Sequence, residues 1–357
     1  MSNILNIARH PVVTADLEFL TSHYAIPWDR LRGKTVMITG AAGFLAAYMI
    51  ETLLFLNETK NLNITVLAVV RNRNGFKQRF SSYLSRPDLI CVEQDICTPV
   101  TESRQIDFII HAASQASPKY YATDPVGTLS ANTLGTANLL ELARSKKTKS
   151  FLYFSSAEVY GEASRIPTSE KDYGYIDPLD VRSCYAESKR MGENMCVSWH
   201  HQHGVPTKIV RPFHTYGPGM QLDDGRVYAD FVNDVVKGRD IVLKSDGLAK
   251  RSFCYLADAT AGFLKVLLCG ENAQAYNIGN PECEISIRDL ASVVAGLGQD
   301  QDDSINVRYE NRKISENYCP SKVSVTCPDI TLAKSIGWEP VTSIEDGFRN
   351  TIKSFQI

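Results

Sequence analysis

Surplus charge is almost absent from this chain: 38 lysines and arginines face 40 aspartates and glutamates, leaving a net charge of −2. So small an excess gives no overall attraction for nucleic acid or an anionic membrane, and neither is expected as a partner. Long apolar runs are missing too. The segment 49–56 is interrupted by Glu51 and Thr52, far short of the roughly 20 apolar residues of a spanning helix. The 9 cysteines are scattered, odd in number and without a Cys-x-x-Cys pair, which argues against a disulfide framework. With no recognisable signal peptide, reduced thiols in a cytoplasm are the expectation. No repeat and no low-complexity linker occurs. His200, His201 and His203 crowd a helix end without cysteine or acid beside them, so no metal is expected.

What is there is an ordinary globular composition, 44% hydrophobic and 22% charged over 357 residues, enough for two lobes and a sizeable core. Residues 1–33 precede the first clear strand and read as an arm, with a short helix capped at Thr14. Lys34 to Thr39 is an apolar strand, followed by Gly40-Ala41-Ala42-Gly43-Phe44-Leu45-Ala46 and a helical pattern. Strand, glycine turn and helix form the context of a dinucleotide fingerprint. Gly40 allows the tight turn, Gly43 lets backbone approach a pyrophosphate at the helix N-terminus, and Ala46 is the third small position.

A second apolar strand ends at Arg71, with Arg73 nearby. An acid there would bind ribose hydroxyls and an arginine accepts a 2′-phosphate or stacks on adenine, so both NAD and NADP stay open. A third strand, 89–96, brings Asp95 and Ile96 to the adenine. A fourth runs into His111 and the small residues Ala112, Ala113 and Ser114, beside which ribose and phosphates can lie. A fifth ends in Ser155, Ser156 and Glu158. In parallel α/β sheets, ligands sit at these carboxyl ends.

The alternation through Arg211 predicts an α/β fold, a doubly wound parallel sheet of Rossmann type over 34–211. A smaller α/β substrate-binding lobe is expected mainly in 212–357, with parts returning to the first domain. Tyr185 and Lys189 are four apart, on one face of a helix. A phenol has a pKa of roughly 10; a fixed cation beside it favours the phenolate, which can take a hydroxyl proton while hydride leaves the same carbon. Cys184, Trp199 and Trp338 are assigned to packing.

These pieces together resemble the extended short-chain dehydrogenase/reductase superfamily, in its nucleotide-sugar epimerase, dehydratase and decarboxylase branch. The resemblance rests on the glycine turn, His111-Ala112-Ala113-Ser114, Ser155 to Gly161, Tyr185 with Lys189, Arg211-Pro212-Phe213, Tyr216-Gly217-Pro218, Tyr255 with Asp258, and Tyr276 to Asn280. Within the branch, Ser114 to Pro118, Arg182 to Arg190, Asp224 to Val227 and Cys327 to Ile330 look most like UDP-glucuronate decarboxylases. Three positions depart. The 4,6-dehydratases carry Asp-Glu where this chain has Ala157-Glu158; decarboxylases usually have Asn at His214 and Arg at Gly219.

The resemblance implies an NAD-dependent enzyme that transiently oxidises C4 of a nucleotide-diphosphate hexose. Tyr185 is the implied base, Ser156 its helper, Lys189 the holder of the nicotinamide ribose, and Glu158 an acid or base at C5. The implied cofactor contacts are Gly40, Gly43, Phe44, Leu45, Arg71, Asp95, Ile96, Ala112, Ala113, Ser114, Asn132, Ser155, Tyr185, Lys189 and Arg211. Ser117, His214, Arg226 and Arg251 are the implied substrate contacts, the arginines suiting a diphosphate. Decarboxylation is the first expectation, with 4-epimerisation or 4,6-dehydration as alternatives. A non-catalytic NAD(P)-binding regulator is the reading of another class. A homodimer is implied through the helices that carry Asn132 and Tyr185.

Overall fold

The inner strands of the central sheet are short, mostly apolar runs buried on both faces, the pattern that parallel sheets covered by helices require, while the edge strand Leu89–Glu93 is only partly buried. The structure is a computed structural model and describes residues 7–298, 305–310 and 323–356; Cys319 lies outside them. After α1 (Pro11–His23) come six strands with helices between them, except between β3 and β4: β1 (Thr35–Thr39), α2 (Phe44–Lys60), β2 (Thr65–Val70), α3 (Arg73–Arg79), β3 (Leu89–Glu93), β4 (Phe108–His111), α4 (Pro118–Thr123), α5 (Pro125–Lys146), β5 (Ser150–Phe154), α6 (Cys184–His203) and β6 (Thr207–Pro212). The chain continues through β7 (His214–Tyr216), α7 (Val227–Val236), β8 (Ile241–Leu243), β9 (Lys250–Tyr255), α8 (Leu256–Cys269), β10 (Ala275–Ile278), β11 (Glu284–Ser286) and α9 (Ile287–Gly298). It closes with β12 (Val307–Tyr309), β13 (Val325–Thr326), α10 (Thr331–Ser335) and α11 (Ile344–Lys353).

The 7-stranded sheet has the order β10-β6-β5-β4-β1-β2-β3, and every pairing within it is parallel. This is the expected doubly wound sheet. β1 has β2 on one side and β4 on the other, so the strand order reverses there and opens a crevice at the carboxyl ends. β10, from late in the chain, completes the sheet beside β6. β7, β11 and β13 all pair with β9 in a second, smaller sheet. The core of this part is built from α7, α9 and α11 around Phe253, Tyr216 and Phe348.

The arm folds onto the body. α1 begins at Pro11, before the expected cap at Thr14, because proline presets the first helical turn and His10 Nδ1 accepts the Val12 amide at 3.3 Å. Val13 and Leu17 enter the core of the second lobe and Leu20 that of the first; burial of each contributes roughly 1.5–3 kcal/mol. Asp16 sits between them, accepting the hydroxyls of Tyr48 (α2) at 2.8 Å and Tyr255 (β9) at 2.6 Å.

Candidate active site

The glycine turn lies in the β1/β4 crevice. Gly40 has φ +66°, a left-handed conformation that favours glycine, and a Cβ there would stand 2.7 Å from Ala113 Cα. That contact brings the β1 turn against Ala112 and Ala113. Gly43 is the N-cap of α2 and supplies no side-chain cap, so the first-turn amides of Phe44 and Leu45 remain for an anion. The Ser114 hydroxyl is buried without a partner among the described residues, and so is Asn132 Oδ1. An uncapped helix start, a cradle that a Cβ would fill and two orphaned polar atoms fit a dinucleotide. Arg71 and Asp95 are exposed just past β2 and β3, while Ile96 is buried against Gly135 of α5.

Below the turn, hydrogen bonds fix the end of β4. Thr39 Oγ1 accepts the Ala113 amide at 3.2 Å and meets His111 Nδ1 at 3.0 Å. His111 Nε2 lies 3.1 Å from Thr136 Oγ1, whose own proton goes to the Asn132 carbonyl. Thr136 must therefore accept, which fixes the Nε2–H tautomer. Burial pushes His111 down to about 3, so the ring is neutral.

α6 presents Tyr185 and Lys189 to this crevice. The Tyr185 phenol is hydrogen-bonded to Ser156. Ser156 also caps the turn after β5, accepting the Glu158 amide at 3.2 Å. Lys189 Nζ donates to the Phe154 carbonyl at 2.6 Å and lies 5.7 Å from the Tyr185 ring centre. Asn132 Nδ2 donates to Ser188 Oγ at 3.0 Å, which donates to the Tyr185 carbonyl, so α5 braces α6 at the reactive turn. The sequence suggested a lowered phenol; instead burial pushes Tyr185 up to about 12, against the smaller help of Ser156 and Arg226. Burial also brings Lys189 down to about 7, opposed by the charge of Glu193. Glu158 is partly exposed and pairs with Arg182 at 3.4 Å. Tyr121 of α4 stacks on Tyr185, ring centres 5.0 Å apart and 17° from parallel; no periodicity in so short a helix marked it.

Two expected cofactor contacts are spent elsewhere. Ser155 Oγ donates to Glu193. All five Arg211 donors are committed, to Glu193, Tyr160, Tyr173 and the Glu170 carbonyl. Neither side chain is left for a dinucleotide, because Glu193 on α6 draws both inward.

The expected substrate residues gather at the second-lobe side. Ser117 Oγ donates to the Asp224 carbonyl at 2.7 Å. Arg226 pairs with Asp224 at 3.2 Å, donates to the Tyr228 hydroxyl, and its charge reaches Tyr185. His214 Nδ1 is buried with no partner among the described residues, and burial with the charges of Arg251 and Arg226 pushes the ring down to about 3. Arg251 Nη1 and Nη2 donate to carbonyls of Lys250, Ser324 and Val323. At Gly219, φ is +79° and a Cβ would stand 2.8 Å from Arg79 Nη2, so the arginine usual in decarboxylases would be strained in this backbone and would displace the Arg79 guanidinium. Among the described residues no group of His, Cys, Asp and Glu is arranged to hold a metal ion, and no helix is long and apolar enough to cross a membrane.

The profile of the family described as NAD dependent epimerase/dehydratase matches residues 36–279. UDP-glucuronic acid decarboxylase 5 of Arabidopsis thaliana is 32% identical, covering 90% of this chain and 89% of that protein. UDP-glucuronic acid decarboxylase 1 of Xenopus tropicalis is 32% identical over 90% of this chain and 72% of its own length. The fold is shared with UDP-glucuronic acid 4-epimerase from Bacillus cereus, solved with UDP-glucuronic acid and NAD, at TM-score 0.75 and 23% identity, covering 90% of this chain and 99% of that one.

Proposed function

The chain belongs to the NAD dependent epimerase/dehydratase family, and from that premise we propose that it modifies a nucleotide-diphosphate sugar by transient oxidation at C4, with UDP-glucuronate decarboxylation as the leading reaction. The observation that carries the reading is the buried Tyr185 phenol, hydrogen-bonded to Ser156 at the carboxyl edge of the sheet. Bound NAD supplies the acceptor for the C4 hydride and later its return.

Gly40, Gly43 and the first amides of α2 would hold the pyrophosphate, with Ala112, Ala113, Ser114 and Asn132 alongside. Lys189, anchored on the Phe154 carbonyl, would hold the ribose hydroxyls beside the nicotinamide. Tyr185 takes the proton of the sugar 4-hydroxyl as its phenolate. The Ser156 hydrogen bond and the charge of Arg226 favour that form against burial, and a positively charged nicotinamide beside it would favour it further. Ser156 orients the hydroxyl. The resulting 4-ketone stands β to a C5 carboxylate, which makes loss of carbon dioxide facile. The electron pair left on C5 is then protonated, and Glu158, whose charge reaches Tyr185, is our candidate for the acid or base at that carbon. Arg226 and His214 are the side chains we assign to the diphosphate and sugar, with Ser117 and Arg251, whose donors go to backbone carbonyls, beside them.

α5 and α6 carry exposed apolar side chains: Val126, Leu134, Met191 and Val197. Such a face supports a two-fold pairing of these helices with a second copy. The described cysteines are all free thiols, which supports a reducing, cytoplasmic setting.

Mass spectra of the products from a panel of nucleotide sugars test the reaction. Loss of carbon dioxide from a UDP-uronate is expected. Loss of water or an isomer of unchanged mass would reassign it to dehydration or epimerisation, and no conversion of any sugar would overturn the reading.

A further inference from the structure

α4 touches both halves of the site. Its first turn is tied to the second lobe, where Ser117 Oγ donates to the Asp224 carbonyl at 2.7 Å and Asp224 holds Arg226. Its last turn lies on the first lobe, where the Tyr121 ring covers the Tyr185 ring at 5.0 Å and 17°. The two rings and Cys184 form a small buried cluster of their own, apart from the main cores. The Tyr121 hydroxyl donates to the Ala116 carbonyl at 3.0 Å within its own segment and stands near enough to Tyr185, Glu158 and Arg226 to interact with their charges. Against the Tyr185 ring itself Tyr121 lays a flat, water-excluding wall.

We propose that Tyr121 is a positioning residue for the reaction: its ring holds the Tyr185 phenol in line with the sugar hydroxyl, and α4 ties that alignment to the Asp224–Arg226 loop of the second lobe. The proposal rests on the reading of Tyr185 as the base. A stacked aromatic pair restricts ring tilt at centre distances of about 4.5–7 Å, and a displacement of roughly 1 Å at a reacting atom costs about a hundredfold in rate. The wall also keeps the phenol dry. The groups that act on Tyr185 come from every side: Ser156 and Glu158 after β5, Lys189 one turn along α6, Arg226 before α7 and Tyr121 above the ring. Loss of the ring admits water, relieves the burial that raises the phenol's pKa, and moves the rise of activity to lower pH.

The test compares Tyr121→Phe, which keeps the stack, with Tyr121→Leu, which removes it, in protein carrying its own dinucleotide. Tyr121→Phe is expected within about twofold of the wild-type kcat, since the ring and not the hydroxyl does the positioning. Tyr121→Leu is expected to lose about ten- to a hundredfold in kcat with little change in KM. Its kcat should rise at a pH about one unit lower than in the wild type. Should Tyr121→Leu fail to fold, Tyr121→Met fills the pocket without a flat face and carries the same expectation. Wild-type kcat and pH profile in the Leu or Met variant would overturn the proposal. So would a change in KM alone, or equal damage from Phe and Leu. If Tyr185→Phe is inactive while Tyr121→Leu is normal, only this inference fails; if Tyr185→Phe is fully active, the reading of the base fails.

Discussion

Glu193, one helical turn beyond Lys189, takes both arms of the Arg211 guanidinium, at 2.7 Å from Nε and 2.6 Å from Nη2. The pair is buried, and Ser155 at the end of β5 donates to the same carboxylate. One acid thus ties α6, β5 and β6 together directly beneath the reactive tyrosine and lysine.

Glu193→Gln leaves the Arg211 charge buried without its counter-charge. Breaking such a pair from one side costs about 3–5 kcal/mol. Urea unfolding should show the midpoint falling accordingly, with the slope unchanged. A variant as stable as the wild type would mean that the neutral partners Tyr160 and Tyr173 suffice for Arg211.

Asp16 gives the fold a pH dependence. Burial holds its carboxyl up at about 6, against the two tyrosine hydroxyls that favour the anion. A raised acid binds more protons folded than unfolded, so its contribution is complete below the unfolded value of about 3.9 and is lost as pH rises through about 6. Asp16→Asn abolishes that loss. Relative to the wild type, the variant should gain about 2–3 kcal/mol in unfolding free energy between pH 4 and pH 7. A constant difference across that range would show that Asp16 titrates normally.

Glu158→Gln separates the later step from the first. Its carboxylate is partly exposed and paired with Arg182, so the fold and the bound dinucleotide should be unaffected. If Glu158 delivers the C5 proton, product formation should fall by about a hundredfold, the scale of general acid–base effects. Unchanged product formation in an end-point assay would reduce Glu158 to a solvated acid at the cleft mouth.

Local patterns carried the parts of the fold and site that local physics decides. The Gly40 turn is legible because its left-handed backbone and its approach to Ala113 demand glycine. Tyr185 and Lys189 are legible because helical spacing puts them on one face. Arg211 and Ser155 misled, since a polar side chain at a strand end can turn to the cleft or inward. Glu193, 18 residues before Arg211, makes that choice. Tyr121 went unseen because α4 is too short for periodicity, and its role arises only when α4 folds over α6. The raised Tyr185 pKa was also hidden: sequence shows the neighbouring charge of Lys189 and not the depth of burial that outweighs it.

The most direct measurement is the turnover of Tyr185→Phe on the substrate identified for the wild type. The change removes one hydroxyl from a buried ring and keeps its stack on Tyr121. The variant should fold, retain its dinucleotide, and convert substrate at least about a hundredfold more slowly. A folded Tyr185→Phe protein working at the wild-type rate would contradict the account.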